Sequence, residues 1–406
     1  MEAGDRLTGG TSERLLNAEC VESYRVGGLH PVEVGDTFKA DRYVIVRKLG
    51  HGANSTVWLA QDSNDSSYVA IKIMRCDFSK GWTELAINHR IAASSSSVDH
   101  LVTLLDHFEY VGPNGKHDCL VLEPMGADVA TYFQRSIPCW QGRSIGKHLL
   151  KALQCLHDLQ IAHCDTNPGN LLLALTHPIQ DLRGNGNSVS LQSDGKHCHT
   201  PRYIHEDRPL TELLDHTRSL ILKLSDFGAA FFFDAPPDKP LMPLALRAPE
   251  VVPQSSFDHT IDIWSFGCLL FEVFTGQPLF SLLDVNFERL DNDAFAETQD
   301  DDHLLQMTST LGPLPSAMFE KWPRRMRYFD ADLKLVRTDV GKSQEPQGPV
   351  YVGKTLEQKF RKSRPRSMTA EEADAIVEVL RSALQYDPAL RPSATKILSL
   401  GWFSCI

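Results

Sequence analysis

The chain has 406 residues, of which 42 % are hydrophobic and 23 % charged, an ordinary composition for a soluble protein with a large core. Its formal net charge of −11 argues against a non-specific nucleic-acid binder and suits a basic partner. Nine cysteines lie without paired spacing, and no apolar run approaches the roughly 20 residues that a bilayer requires. The expectation is therefore reduced thiols, no membrane, and a place in the cytoplasm and/or nucleus.

Residues 1–40 are polar and form an expected N-terminal extension. From Tyr43 the texture changes: residues 43–49 read as a strand, a Gly turn follows, and 56–60 read as the return strand. Residues 68–74 form a third strand, 82–93 a helix, and 101–107 and 118–123 two further strands. Beyond Pro124 helix signals dominate. Ile145, Leu149, Leu153 and Leu156 share one helical face that runs into His163. Residues 261–275 are a strongly apolar helix with Gly276 as its cap, and residues 369–386 are the last helix, with an acidic first turn. Two irregular stretches, about 175–215 and 281–365, read as insertions. The result is an α+β chain with a small antiparallel sheet over 41–124 and a mainly helical part over 125–404.

Several residues along this frame could carry chemistry. Gly50-His51-Gly52 is a Gly turn between two strands, with Ser55 where a third glycine often stands. Such a turn lets backbone N–H groups approach phosphates, although alone it equally describes a hairpin. A dinucleotide fold is disfavoured, because no helix follows. Lys72 sits in the third strand, and Glu84 in the helix is its natural ion-pair partner. Then comes His163-Cys164-Asp165-Thr166-Asn167-Pro168-Gly169-Asn170, with Asp226-Phe227-Gly228 further on. An Asp and an Asn five apart, followed by an Asp before a Gly, are the parts that phosphoryl transfer needs. Asp165 is the candidate base, and Asn170 and Asp226 the candidate ligands of Mg2+. His197, Cys198, His199 and His205 could hold zinc, but no second Cys pair accompanies them.

In this order and local structure, the set resembles a eukaryotic-type protein kinase over about residues 43–404. Ala248-Pro249-Glu250 resembles the end of an activation segment, and Arg391 stands where the partner of that Glu belongs. Asp262, in Asp262-Ile263-Trp264, matches the Asp that braces the catalytic loop. Arg247-Ala248-Pro249-Glu250 and the insertion after Gly276 resemble the CMGC group. Leu49-Gly50-His51-Gly52, Ser55-Thr56-Val57-Trp58-Leu59 and Asp301-Asp302-His303-Leu304-Leu305 resemble the SR-protein kinases within it. The resemblance implies a bilobal kinase fold and ATP and Mg2+ as cofactors. It implies an ATP site formed by Leu49, Gly50, Gly52, Ser55, Val57, Ala70, Lys72 and Glu123. It also implies a monomer acting on serine or threonine of basic, Arg/Ser-rich proteins, with no direct nucleic-acid contact. The acidic run Glu288, Asp291, Asp293, Glu297, Asp300, Asp301 and Asp302 reads as a solvated loop or, through the resemblance, as a docking surface for such substrates.

Three departures from the family pattern stand out. Asn167 replaces a Lys that contacts the transferring phosphoryl group, which removes a positive charge from the catalytic set. Pro243 replaces a Thr that usually bonds the catalytic Asp. Cys164 replaces the Arg that reads an activation-loop phosphate. Residues 229–247 contain no Ser, Thr or Tyr, so that loop has nothing to phosphorylate and is expected to be ordered without it. Two other readings stay open: a pseudokinase scaffold without turnover, and a small-molecule phosphotransferase of the aminoglycoside or choline kinase type.

Overall fold

The computed structural model describes residues 18–78, 81–94, 98–132, 137–180, 188–191, 199–215, 220–252, 256–281, 292–332, 334–336 and 353–404. Its strands are β1 (Thr37–Phe38), β2 (Tyr43–His51), β3 (Ser55–Asp62), β4 (Tyr68–Met74), β5 (Leu104–Gly112), β6 (Gly115–Leu122), β7 (Ile161–Ala162), β8 (Leu171–Leu173), β9 (Ser188–Ser190), β10 (Tyr203–His205), β11 (Leu222–Leu224) and β12 (Phe231–Phe232). The helices are α1 (Gly81–Ala92), α2 (Val129–Tyr132), α3 (Cys139–Asp158), α4 (Ile261–Thr275), α5 (Asn292–Leu311), α6 (Ser316–Lys321), α7 (Leu356–Ser363), α8 (Ala370–Ala383), α9 (Ala394–Leu398) and α10 (Gly401–Ser404). None of these helices is long and apolar enough to cross a membrane. The chain divides into two units.

The first unit comprises residues 1–81, 104–126 and 177–213. It holds a six-stranded antiparallel sheet in the order β1-β2-β3-β4-β6-β5. Side chains alternate between the faces of a strand, so the register assigns each residue to a face. Trp58, Ala60, Val69, Ile71, Ile73, Cys119 and Val121 share the face that packs with Phe38, Tyr43 and Phe108. The opposite face carries Val57 across from Lys72, and Leu59 across from Ala70. Residues 104–112 form β5, displaced from the expected 101–107, because Leu101 is instead bridged to Leu224 within the second unit. The polar stretch about 175–215 contributes β9 and β10, which pair with each other. Ile204 joins Tyr24 and Leu29 in a small apolar cluster.

The second unit comprises residues 82–103, 127–176 and 214–406, and its core is built from α3, α4 and α8. α4 follows the expected bounds, and Gly276 caps it at φ 66°, a left-handed conformation that glycine adopts without a Cβ clash. Thr369 and Glu372 form a reciprocal capping box on α8. Two expectations are corrected. The stretch 281–365 is not irregular throughout, since it contains α5, α6 and α7. The helix predicted to be last, α8, is followed by the short helices α9 and α10.

Buried histidines give this fold an acid limit. Burial and the neighbouring His117 push His30 down to about 3. Burial and His100, with two lysines, push His148 down to about 4. Burial and Arg247 push His303 down to about 3. As pH falls through the ordinary histidine value of about 6.5, the unfolded chain takes up protons that the folded chain refuses. The stability is therefore complete above that value and is lost as pH falls toward 3–4. The urea midpoint is expected to drop clearly between pH 7 and pH 5, and less steeply in His303→Leu; a flat midpoint across that range contradicts this.

Candidate active site

The catalytic candidates are placed by two short ribbons of the second unit. β7 pairs with β12 and β8 with β11, both antiparallel. The loop 163–170 lies between β7 and β8, and the loop 225–230 lies between β11 and β12. The ribbons thus hold the two loops side by side. Asn170 O accepts hydrogen bonds from Ser225 N and Ser225 Oγ, both at 2.9 Å. Ser225 O in turn meets His163 Nε2 at 3.1 Å, while Asp165 N donates to His163 Nδ1 at 3.3 Å. An accepting Nδ1 and a donating Nε2 define the Nε2–H tautomer of His163.

The backbone of the first loop is held from below. Asp262, in the first turn of α4, accepts the N–H groups of His163 and Cys164, each at 2.8 Å, and contacts His157 Nε2 at 3.0 Å. Burial opposes the charge of this carboxylate. His157, His163 and the loop amide outweigh burial and hold Asp262 below the usual carboxylate range. Cys164 is completely buried and has φ 71°, and Asp226 has φ 61°. Left-handed backbone at a residue with a Cβ costs about 1–2 kcal/mol, so two strained residues flank the chemistry here. The expected bracing by Asp262 is thus observed, and it fixes the turn that Cys164 occupies.

Asp165 is the centre of the site. Its carboxylate accepts Asn167 Nδ2 at 2.7 Å on one oxygen and Asn170 Nδ2 at 2.9 Å on the other. Asn167 Oδ1 also accepts Gly169 N at 2.8 Å, which caps the 3-10 turn Pro168–Asn170. Asn167 therefore places a donor on the Asp165 carboxylate, although an uncharged one. Burial pushes Asp165 above the ordinary carboxylate value, the two asparagines and His163 pull it down, and Asp226 adds to the rise. Such a carboxylate is a stronger base than an exposed one.

Asp226 accepts Gly228 N at 3.2 Å and so caps the turn Phe227–Ala229. Glu84, 2 % exposed on α1, reaches the same turn: a Cβ placed on Gly228 would come to 3.4 Å from Glu84 Oε2. Asn170 and Asp226 offer amide and carboxylate oxygens, the donor set of a hard cation such as Mg2+. Asp165, Asn167, Asn170, Asp226 and Glu84 all belong to the second unit.

The remaining candidates belong to the first unit. Gly50 pairs with Val57, and Val57 pairs with Lys72. Lys72 is 7 % exposed; Leu49 lies in β2 directly before Gly50, Ser55 opens β3, and Glu123 directly follows β6. Neither Gly50 nor Gly52 has a positive φ, and a Cβ on either would meet nothing within 4 Å. The protein's own packing therefore does not demand glycine at these positions. Open backbone of this kind suits a phosphate-bearing ligand.

The segment 229–247 is anchored by its own side chains. Phe231 and Phe232 form β12, Phe233 stacks on His259 at 4.4 Å, and Ser265 Oγ bonds Leu246 O at 3.2 Å. Glu250 and Arg391 form a two-pronged buried ion pair at 2.6 and 2.7 Å. Pro243 caps the turn Leu244–Leu246 and makes no side-chain hydrogen bond there. The acidic run needs one correction. Asp301 is not a surface residue: it is 1 % exposed and accepts Trp322 Nε1 at 2.7 Å, Arg324 Nε at 2.8 Å and Tyr328 OH at 2.9 Å. Asp300 pairs with Arg247 at 3.2 Å and Glu297 with Arg324 at 3.2 Å. Glu288 and Asp291 lie outside the described residues, as does the side chain of Asp293. The zinc candidates His197 and Cys198 also lie outside them, while His199 bonds Asn114 and His205 lies against Trp58.

Comparison with known proteins agrees with this geometry. The protein kinase domain model matches residues 43–182 and 191–403. The chain is 31 % identical to the serine/threonine-protein kinase SRPK of Physarum polycephalum, over 93 % of this chain and 89 % of that protein. It is 26 % identical to protein kinase dsk1 of Schizosaccharomyces pombe, over 95 % and 84 %. The crystal structure of a kinase domain with 24 % identity superposes with a TM-score of 0.64, covering 92 % of this chain and 98 % of the other, and establishes the fold.

Proposed function

Since the chain belongs to the protein kinase family, we propose that it transfers the γ-phosphoryl group of ATP to serine or threonine of basic, Arg/Ser-rich proteins, with Asp165 as the base. The observation that carries the reading is the bracketed carboxylate: Asp165 is held by Asn167 and Asn170, and Asn170 is tied to the Asp226 loop through Ser225. Asp165 orients the substrate hydroxyl and takes its proton as the new O–P bond forms and the bond to the departing ADP oxygen breaks. Lys72 would pair with the α and β phosphates. Asn170 and Asp226 would hold magnesium, which would supply charge neutralisation on the phosphates. Leu49, Val57 and Ala70 wall the adenine, Gly50, Gly52 and Ser55 cover the phosphates, and Glu123 lies at the adenine edge.

The substrate class rests on the SR-protein-kinase resemblance and on the net charge of −11. Asp301 is buried and so closed to a substrate arginine, while Asp300 and Glu297 are paired with Arg247 and Arg324 but keep exposure. The test is label transfer from γ-labelled ATP to an Arg-Ser repeat peptide, a Gly-Ser peptide of equal length and small alcohols. Transfer to the Arg-Ser peptide at least ten times faster than to the others supports the reading. Equal rates remove the basic substrate, and transfer to the alcohols alone replaces the protein kinase by a small-molecule phosphotransferase.

Asn167 gives a pH prediction. Its hydrogen bond pulls Asp165 down, so Asn167→Ala raises the Asp165 value further. The base must be ionised to act, and activity is lost as pH falls through that value. The acid limb of the kcat/KM profile is therefore expected to move to higher pH in Asn167→Ala; a limb at or below the parent position contradicts the assignment.

A further inference from the structure

The turn Gly50-His51-Gly52 is tied to a part of the chain that the catalytic account does not use. Asp207 meets both sides of the turn's base: its Oδ2 is hydrogen-bonded to His51 Nδ1 at 2.6 Å, and its Oδ1 forms an ion pair with Lys48 Nζ at 3.0 Å. The Lys48 side chain has no solvent exposure. Its ammonium also meets Glu19 and donates to His205 O at 3.1 Å. Arg208 N donates to Lys48 O at 3.2 Å, and Arg47 pairs with Glu212 at 2.8 Å. Residues 205–212 therefore grip the end of β2, where the strand enters the turn, through side chains and backbone alike. All of these residues belong to the first unit.

Glu19, His51 and Asp207 also have the composition of a cation site. Lys48 occupies it: the ammonium already lies on both carboxylates, and a metal ion would have to displace a buried charge. The cluster is a lock around a lysine. The turn is closed by Gly52 N donating to Ser55 O and by Arg75 N donating to Asn54 O, each at 2.9 Å, yet His51, Gly52, Ala53 and Asn54 are all exposed. An exposed glycine turn that must close on phosphates loses conformational entropy on binding, and a tether that orders it beforehand lowers that cost.

We propose that Asp207 is a positioning residue for nucleotide binding, acting through His51 and Lys48 to order the glycine turn. The proposal rests on the kinase reading for its kinetic consequence, but not for the ordering itself. It makes the segment 205–212 part of the nucleotide-binding apparatus, although it lies far along the chain from the turn.

Two readouts test it in the full-length protein. Amide hydrogen exchange over residues 49–56, measured without nucleotide, is expected to be faster in Asp207→Asn than in the parent. The KM for ATP is expected to rise about ten-fold with kcat changed less than two-fold, the size of one lost charge-assisted bond. His51→Ala, which alters an exposed turn residue and spares the lock on Lys48, serves should Asp207→Asn fail to fold. It should show the same pair of effects, and the double variant should be no worse than the more affected single variant. Unchanged exchange over 49–56 in a folded variant overturns the proposal. If the parent itself neither binds nor turns over ATP, the kinase reading falls, and the exchange measurement still decides whether Asp207 orders the turn.

Discussion

Asp165→Asn is expected to lower kcat by roughly 10²–10⁴-fold, the usual worth of a positioned general base, while the affinity for ATP changes little. The variant keeps the shape of the side chain and an acceptor for one asparagine, so the loop 163–170 should stay in place. What it removes is the charge that Asn167 and Asn170 are arranged to orient. Asp262 and the Ser225 bonds hold the loop independently of Asp165, which is why binding and turnover should separate. Initial rates with saturating Mg-ATP, set beside a nucleotide-binding titration, check both halves. A variant that keeps more than about a tenth of the parent rate rules Asp165 out as the base.

The second large effect concerns stability. Arg391→Ala is expected to destabilise the second unit by about 3–5 kcal/mol, because it leaves Glu250 charged, buried and alone. Both side chains are essentially without exposure. Arg391 also donates to Gln385 O at 2.8 Å and lies over the Trp264 ring at 5.2 Å, so its loss removes packing as well. Glu250→Gln with Arg391→Met should recover part of the loss, since no uncompensated charge remains. Denaturant unfolding of the two variants provides the comparison. A loss below 1 kcal/mol in Arg391→Ala would show that the pair carries little of the fold.

What the sequence reveals divides along physical lines. α4 is legible because 14 of its 15 residues are buried and a glycine stops it. β2, β3 and β4 are legible because each is a short run rich in β-branched and aromatic residues and a Gly turn separates the first two. β5 is harder: its residues are mostly half-buried or exposed, and the apolar residues ahead of it belong to a bridge with Leu224. α5 is misread as a loop because its acidic run looks solvated. Only the fold shows that Trp322, Arg324 and Tyr328 converge on Asp301. In the site, residue types and spacing single out Asp165, Asn170 and Asp226, while the role of Asp262 enters through family resemblance. The orienting bond from Asn167 to Asp165 is within reach of a two-residue separation but not specified by it. The lock of Glu19, Lys48 and Asp207 leaves no local signal, since its three members come from separate stretches of chain.

Cys164 and the segment 229–247 bear together on how the site is switched on. The usual arginine is absent, and the segment has no hydroxyl to carry a phosphate. Phe231, Phe233 and Leu246 fasten it to β7, His259 and Ser265 instead. Apolar and backbone anchoring of this kind needs no charge to create it.

The most direct test is therefore the initial rate of γ-phosphoryl transfer from Mg-ATP to an Arg-Ser peptide, using protein shown by mass spectrometry to carry no phosphate. The expected result is immediate, linear turnover that phosphatase treatment leaves unchanged and that Asp165→Asn lowers by roughly 10²-fold or more. Nucleotide binding without transfer, or a lag that ends only as the protein becomes phosphorylated, would contradict it.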